Sequence, residues 1–375
     1  MSNNSVKHKR IIVGMSGGVD SSVAAVLLKK QGYEVIGVHM KYWSEKDEVS
    51  ICDNGIVNND PSKANACCSL DSLEDARRVC AKLNIPLYVV DFKEKFKEKI
   101  VDLFIEELNL GFTPNACVIC NREIKFGLLL DYALSIGADG VATGHYAQIF
   151  LDPNSNRYGI KKAIDINKDQ SYFLALLSQF QLEHILLPLG NLTKDQVRAI
   201  AVENELVNSK RRDSQDLCFI AKDFKTFAGK YTNPIAGAIR LKSNQQVIGQ
   251  HLGLVFYTLG QRKGIETNLN IPLYVHSKDF ETNDLIVDTV PAVSSNSITL
   301  HNFNYLSFAT LDKSKTDIDF VGRYQGARNK ILNIINDDIS YLQINFEGTI
   351  NSFASGQFGA IYKDDILLGA GKIIN

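Results

Sequence analysis

Residues 11–22 read Ile11-Ile12-Val13-Gly14-Met15-Ser16-Gly17-Gly18-Val19-Asp20-Ser21-Ser22. The apolar run Ile11-Ile12-Val13 predicts a short buried strand that ends at Gly14. From Val19 onward Val23, Val26 and Leu27 recur at helical spacing, and Gly32 stops the pattern. Between strand and helix, Gly17 and Gly18 let the backbone turn tightly and approach an anion closely. The helix that follows points its unpaired N–H groups and the positive end of its dipole at that anion. Ser16, Ser21 and Ser22 add hydroxyl donors. The lysine of a GxxxxGK[ST] phosphate loop is absent, so an NTPase that cleaves the γ-phosphate is not indicated.

Working outward, Tyr33 to Met40 (YEVIGVHM) is a second strand, rich in β-branched residues. Residues 44–66 are polar and read as a surface excursion. Asp71 or Ser72 is placed to cap a helix that carries Leu73, Ala76, Val79, Cys80 and Leu83 on one face. Leu87 to Phe92 is a third strand, helical stretches follow near 93–109 and 121–136, and Gly140 to Thr143 is a fourth strand. This rhythm predicts an α/β domain with a parallel sheet, its ligands at the carboxyl ends of the strands. Helical patterning continues to about 207. Beyond about 220 the texture changes to short alternating runs such as Gln246-Val247-Ile248-Gly249 and Ser297-Ile298-Thr299-Leu300, separated by turn residues. The expected organisation is a catalytic α/β domain over 1–217, a small central β domain over 218–287 and a C-terminal β-barrel over 288–375.

With 375 residues, 45% hydrophobic and 22% charged, the chain has the composition of a soluble protein of two or three domains. No apolar run approaches the roughly 18 residues of a membrane span. Met1 to Arg10 is polar and basic and leads straight into a strand, unlike a signal peptide. A cytoplasmic protein with no membrane partner is expected. The formal net charge of −1 excludes polyanion binding by the global field. Local basic groups are Lys161-Lys162 with Lys168, Lys210-Arg211-Arg212 and Arg262-Lys263; taken singly, each reads as a solvated face.

The seven cysteines are Cys52, Cys67, Cys68, Cys80, Cys117, Cys120 and Cys218, an odd number that does not suggest a disulfide framework. Cys80 falls on an apolar helix face and reads as core. Cys120 precedes a helix expected to begin near Arg122, and that helix end, with Arg122 and Lys125, would favour its thiolate. Cys218 lies in Asp213-Ser214-Gln215-Asp216-Leu217-Cys218-Phe219-Ile220, where the helical half gives way to the β half. One C-x-x-C without a second pair is weak support for structural zinc, although Cys52, Cys67 and Cys68 could complete a set. No metal site is assigned.

Taken together, these segments resemble the bacterial tRNA-specific 2-thiouridylases, members of the N-type ATP pyrophosphatase superfamily. The resemblance rests on Gly14 to Ser21, Thr113-Pro114-Asn115 to Cys120-Asn121, Ile124-Lys125-Phe126-Gly127, Ala142-Thr143-Gly144-His145-Tyr146-Ala147, Lys168-Asp169-Gln170-Ser171-Tyr172, Asp213 to Ile220 and Tyr257 to Gly264. The segments occur in the family's order, and with weaker C-terminal matches they cover essentially the whole chain. The implied fold is a parallel-sheet adenine nucleotide hydrolase-like (PP-loop) domain, a central β domain and a C-terminal β-barrel.

The resemblance implies that ATP, with magnesium, adenylates the C2 carbonyl oxygen of uridine 34 in the anticodon stem-loop of tRNAs for Lys, Glu and Gln. Sulfur carried as a persulfide on Cys218 then replaces that oxygen, with AMP and pyrophosphate as products. Cys120 forms a transient disulfide with Cys218 or acts as its reductant partner. By the same resemblance Gly14, Met15, Ser16, Gly17, Gly18, Val19, Asp20, Ser21, Met40 and Gly144 bind ATP. Asn115, Ala116 and Cys117 face the target base. His145, Lys168, Asp169, Gln170, Arg323, Tyr324 and Gln357 contact tRNA. The sulfur donor is a persulfide carrier or a cysteine desulfurase, and no tightly bound prosthetic group is implied. Many family members carry Asp, assigned as proton acceptor, where this chain has Cys117. The Cys67-Cys68 pair is outside the usual motif set. Two other readings use the same loop: an amidotransferase-like or argininosuccinate-synthase-like ligase, which needs no paired thiols, and a tRNA-binding module whose loop has decayed.

Overall fold

The computed structural model describes residues 9–45, 70–211, 217–269, 271–291, 296–307, 317–337 and 340–374. Most of the 44–66 excursion, together with Cys52, Cys67, Cys68 and Arg212 to Asp216, lies outside them.

The first half builds a sheet from β1 (Arg10–Gly14), β2 (Glu34–Lys41), β3 (Leu87–Asp91) and β4 (Gly140–Ala142). A hairpin, β5 (Ala147–Asp152) and β6 (Arg157–Lys162), then leaves the domain before β7 (Ile185–Leu186) returns to it. The sheet order is β3-β2-β1-β4-β7, and every pairing in it is parallel. Strand β1 lies between β2 and β4, so the connections reverse direction beside it. That reversal opens a crevice at the carboxyl ends of β1 and β4. Ile12 and Val13 are fully buried, as a strand covered on both faces requires.

Helices cover the two faces. Val19–Lys30 follows β1 and buries Val19, Val23, Ala24, Val26 and Leu28. Leu70–Lys82 buries Ser72, Leu73, Ala76, Val79 and Cys80, a single stripe at helical spacing. Asp71 and Ser72 therefore lie inside this helix, where a cap was expected. Ser72 faces inward, against the turn after β1.

The expectation of helix up to about 207 fails over 147–162. Both strands of the hairpin run antiparallel, and β6 pairs with the last strand of the C-terminal barrel through Lys161↔Ile366 and Ile160↔Leu367. The signal was weak because the segment Gln148-Ile149-Phe150-Leu151 lacks clean alternation. It is packed partly against the catalytic half and partly against the barrel, so neither period dominates.

The central domain contains β8 (Gly237–Leu241), β9 (Val247–His251), β10 (Tyr274–Asp279) and β11 (Asp284–Asp288), ordered β10-β11-β8-β9. A helix, Phe224–Tyr231, precedes it inside the region read as all-β. Asp223 caps that helix by accepting from the Thr226 N–H at 2.9 Å.

The C-terminal barrel holds β12 (Ser297–Tyr305), β13 (Asp319–Val321), β14 (Asn329–Asp337), β15 (Tyr341–Phe346), β16 (Phe358–Lys363) and β17 (Ile366–Ile373). Its order, β12-β15-β14-β13-β16-β17, closes through β12 and β17, with the hairpin appended to the start of β17. A single apolar cluster runs from Ile12, Phe126 and Leu130 in the catalytic half to Phe358, Tyr362 and Leu367 in the barrel.

Because the core is continuous, a barrel mutation should be felt in the catalytic half. Leu367→Ala removes a fully buried side chain and is expected to cost about 2–5 kcal/mol. Urea unfolding followed by the fluorescence of Trp43, the sole tryptophan and a residue of the catalytic half, should show a lowered midpoint. An unchanged Trp43 transition would mean that the barrel unfolds on its own.

Candidate active site

The turn after β1 sits at the mouth of the crevice. Gly17 has φ +76°, and a Cβ there would stand 2.2 Å from the Ser72 carbonyl oxygen. The position therefore requires glycine on both conformational and steric grounds. Gly18 is the N-cap of the helix Val19–Lys30 and supplies no capping side chain. The first-turn N–H groups of Val19, Asp20 and Ser21 thus face the crevice uncapped, the arrangement that receives an anion. The hydroxyls order the turn. Ser16 Oγ and Ser21 Oγ are 3.2 Å apart, and Ser21 Oγ donates to Gly18 O at 3.1 Å. Ser22 Oγ donates to Gly18 O at 2.9 Å.

Met15 and Val19 are buried, so these two contribute backbone to the turn while their side chains fill the core. The Met15 carbonyl accepts from His39 Nδ1 at 2.8 Å. Burial lowers the His39 pKa, and Lys41 and Arg77 add to the effect against the Met15 hydrogen bond. Gly144 packs against the backbone of Asp20 and Ser21, and Met40 Cε lies close to Gly14. The sequence-derived nucleotide residues are therefore gathered around one crevice.

A carboxylate beside a triphosphate would repel it. Asp20 is held instead by Lys194 Nζ, at 2.8 Å to Oδ1 and 2.9 Å to Oδ2, and by the Tyr146 hydroxyl at 2.7 Å. Asn208 Nδ2 donates to Gly17 O at 2.8 Å and to Ser22 Oγ at 2.9 Å. Arg211 reaches Gly17 O while paired with Asp75. Lys194 and Asn208 escaped the sequence reading because they lie on later elements with no motif of their own. Arg211 was visible only as part of the cluster Lys210-Arg211-Arg212.

The thiols occupy the next wall. Asn115 caps a helix that starts at Ala116, its Oδ1 accepting from the Val118 N–H at 3.4 Å. The helix expected to begin near Arg122 therefore begins six residues earlier. Cys120 lies within it, with the residue 7% exposed, and Cys117 occupies the first turn, exposed. The favourable position anticipated for Cys120 belongs to Cys117. The sequence misled because asparagine stands at both 115 and 121 and caps equally well by type, and Ala116 to Cys120 show too few residues to display a period. Cys120 joins Tyr42, Phe96, Phe104, Phe219 and Phe227 in an apolar cluster, and the half-buried Cys218 packs against the same cluster. Met40 touches this cluster too, so it links the phosphate turn to the thiols. Cys80, Cys117, Cys120 and Cys218 are all reduced. Burial pushes the Cys80 thiol up to about 12, which makes it an inert core residue.

After Cys120 the helix loosens into a π segment, Asn121–Leu128. Gln181 Nε2 donates to the carbonyls of Arg122 and Phe126, each at 2.8 Å. A Cβ on Gly127 would fall 2.9 Å from the Arg122 oxygen, which explains the glycine in Ile124-Lys125-Phe126-Gly127. Asn121 Nδ2 donates to Phe173 O at 3.0 Å.

The loop ahead of Asn115 is clamped by the other two domains. Thr113 N donates to Ser355 O at 2.8 Å, and Gln357 Nε2 donates to Thr113 O at 2.8 Å. Thr113 Oγ1 lies 3.2 Å from Thr258 Oγ1, and Lys278 Nζ donates to Gly111 O at 2.6 Å. Burial lowers the Lys278 pKa to about 8. Residues associated with RNA by sequence thus divide into two groups. Gln357, Gln170 and Asp169 make internal bonds: Gln170 Oε1 accepts from Tyr146 N at 3.0 Å, and Asp169 accepts from Ala163 N at 3.0 Å and Ser171 Oγ at 2.7 Å. Lys168 lies near the half-buried Tyr324 across the seam between catalytic half and barrel, and Arg323, next to Tyr324 in the chain, is exposed. There the Tyr324 ring lies 4.4 Å from that of Phe173. His145 bonds Thr143 Oγ1 at 2.7 Å; burial, with Lys125 adding, holds its pKa well below the ordinary value.

Lys194→Met should leave the Asp20 charge facing bound nucleotide and weaken ATP binding by about tenfold, roughly 1.4 kcal/mol. The double variant with Asp20→Asn should recover part of that loss, as equilibrium dialysis of the two singles and the double would measure. A pH effect follows from His39. Its folded pKa lies below the unfolded value of about 6.5, so the unfolded chain binds the extra proton in that window. Stability is therefore full above about pH 6.5 and falls as pH drops below it. The urea midpoint should decline between about pH 7 and 5.5, and His39→Asn, which keeps a donor for Met15 O, should flatten the slope.

The chain matches the family described as tRNA methyl transferase HUP domain over residues 9–222. It also matches the tRNA methyl transferase PRC-barrel domain over 225–289 and the aminomethyltransferase beta-barrel domain over 295–373. It is 39% identical over 368 residues to tRNA-specific 2-thiouridylase MnmA 1 of Clostridium botulinum (strain Loch Maree / Type A3), covering 97% of this chain and 99% of that one. It is 40% identical over 370 residues to tRNA-specific 2-thiouridylase MnmA of Clostridium kluyveri, covering 97% and 99%. Among solved structures it is similar to a 4-thiouridine synthetase–RNA complex with bound ATP, at a TM-score of 0.34 and 14% identity, covering 60% of this chain and 49% of that one. The near full-length matches, on a fold with the expected three parts, establish that the chain belongs to the family of tRNA-specific 2-thiouridylases.

Proposed function

We propose that this chain performs ATP-dependent 2-thiolation of uridine 34 in tRNAs for Lys, Glu and Gln. The observation that supports this reading best is the meeting of Cys120 and Cys218 on one apolar cluster, joined through Met40 to an uncapped phosphate turn. A ligase of the argininosuccinate-synthase type would use the turn and has no need of the thiols.

ATP enters the crevice with its phosphates at Gly14 to Ser21, between Met40 and Gly144. Magnesium accompanies it as part of the substrate, because the cationic groups of Lys194 and Arg211 at the turn are engaged with Asp20 and Asp75. The C2 oxygen of the uridine attacks the α-phosphorus, the bond to the β-phosphate oxygen breaks, and pyrophosphate leaves. Asn115, Ala116 and Cys117 face the base, which is single-stranded in the anticodon and can be turned into the site at modest cost. Lys168, Arg323 and Tyr324 hold the RNA at the seam. His145, Asp169, Gln170 and Gln357 support the walls through the bonds described above.

A donor protein, either a persulfide carrier or a cysteine desulfurase, loads Cys218 with a terminal sulfur. That sulfur forms a bond to C2 while the C2–O bond breaks and AMP leaves. The Cys120 thiolate then attacks the Cys218 Sγ; a Cys120–Cys218 disulfide forms, the bond from Cys218 Sγ to the transferred sulfur breaks with its electron pair going to that sulfur, and 2-thiouridine is released. In the alternative order Cys120 attacks first and frees hydrosulfide, which attacks C2. Both orders divide one difficult substitution into two easier ones and end with the same disulfide. Residues 1–217 carry activation, 218–287 hold the thiol-bearing loop, and 288–375 present the RNA-facing rim.

Mass analysis of tRNA after incubation with ATP, magnesium and a persulfide donor should find 2-thiouridine at the wobble position. Cys218→Ser and Cys120→Ser should each abolish it while pyrophosphate release with tRNA persists. Product from Cys218→Ser would defeat the sulfur-transfer chemistry and favour the ligase reading. No ATP–pyrophosphate exchange in the presence of tRNA would indicate an RNA-binding module.

A further inference from the structure

The reaction above uses two of the three thiols found at the site among the described residues and leaves an oxidised pair after each turnover. Cys117 is exposed, whereas Cys120, one C-x-x-C step along the same helix, is 7% exposed. Cys218 is half-buried against the cluster that holds Cys120. A disulfide between Cys120 and Cys218 would therefore be set among aromatic side chains, where a protein reductant has poor access. Residues three apart on a helix have Cα atoms about 5 Å apart, within the roughly 4.4–6.8 Å that a disulfide spans. Cys117 thus has both the spacing to reach Cys120 and the exposure to meet a reductant.

We propose that Cys117 is the resolving thiol, which opens the Cys120–Cys218 disulfide and restores Cys218 for the next sulfur. This rests on the sulfur-transfer reading above. The Cys117 thiolate attacks the Cys120 sulfur. A Cys117–Cys120 bond forms, the Cys120–Cys218 bond breaks, and Cys218 leaves as a thiolate that takes up the proton Cys117 released. The exchange itself transfers no net electrons. An external dithiol then attacks the exposed sulfur of Cys117 and delivers two electrons and two protons, so both thiols return and the dithiol becomes a disulfide. The effect is to carry the oxidised bond from the apolar cluster to the surface. Cys80 cannot serve this purpose, since it is buried in the separate core on the other side of the sheet. The absence of the usual aspartate at 117 then gives the chain an internal route for its own reduction.

The test is disulfide mapping of the full-length chain in a glutathione redox buffer, with acid quench and alkylation. Wild type should settle as Cys117–Cys120 with Cys218 open to alkylation, in roughly tenfold excess over Cys120–Cys218. Cys117→Ser should hold Cys120–Cys218. With tRNA, ATP, magnesium, a persulfide donor and limiting dithiothreitol, the later turnovers of Cys117→Ser should slow roughly tenfold relative to its own first turnover, unlike wild type. A wild-type chain that keeps Cys120–Cys218 with Cys117 alkylated overturns the proposal, as does a Cys117→Ser chain whose later turnovers match its first. Absence of 2-thiouridine from wild type would count against the sulfur-transfer reading instead, and the mapping in glutathione would still decide whether Cys117 exchanges.

Discussion

Two rungs of backbone pairing, Ile160 with Leu367 and Lys161 with Ile366, tie the catalytic half to the barrel. They exist because the hairpin β5–β6 departs from the parallel sheet and lends its edge to β17. Around that junction the core is continuous: Tyr172 donates to Phe358 O at 2.8 Å, and the Tyr362 hydroxyl lies 3.1 Å from Ser171 Oγ. Buried polar groups of this kind must find partners, and here they find them across the seam. The junction also sets the distance between the barrel and the loop ahead of Cys117. Were it loosened, Gln357 and Ser355 would lose Thr113, and the thiol-bearing helix would lose its entry.

The site then depends on two kinds of neutralisation. At the turn after β1, Asp20 is paired with Lys194 and bonded by Tyr146, so an anion meets uncapped N–H groups with the nearby carboxylate already compensated. At the thiol wall the surroundings of Cys120 are apolar and largely aromatic. Cys80 shows what full burial does, its thiol driven up to about 12 and removed from chemistry. Cys120, Cys218 and Cys117 are graded from buried to half-buried to exposed.

Much of this was legible in the chain. The turn Ser16-Gly17-Gly18-Val19-Asp20-Ser21 announced both the strand–helix geometry and the ligand class, because glycine and serine at those places have few other uses. The three-part organisation showed in the switch from helical to alternating patterns. Two features read otherwise from the sequence were settled in the packed chain. The hairpin at 147–162 looked continuous with helix because Gln148-Ile149-Phe150-Leu151 lacks clean alternation, and its pairing partner is the distant strand β17. The helix start moved from Arg122 to Ala116 because Asn115 caps it. Gln357 and Asp169, grouped with RNA contacts by resemblance, direct their polar atoms inward.

By itself the sequence determined the chemistry on offer: an anion-binding turn, thiols at 117, 120 and 218, and a fold able to present them at strand ends. Those properties are local, since glycine conformation, helix dipoles and sulfur reactivity are carried by the residues that display them. Only the tertiary structure decided which thiols share a cluster, which is open to solvent, and which lysine compensates Asp20. Lys194 and Asp20 are 174 positions apart along the chain, and no periodicity or motif spans such a separation. Burial and pairing at that range are properties of the packed chain, and they determine what each reactive group can do.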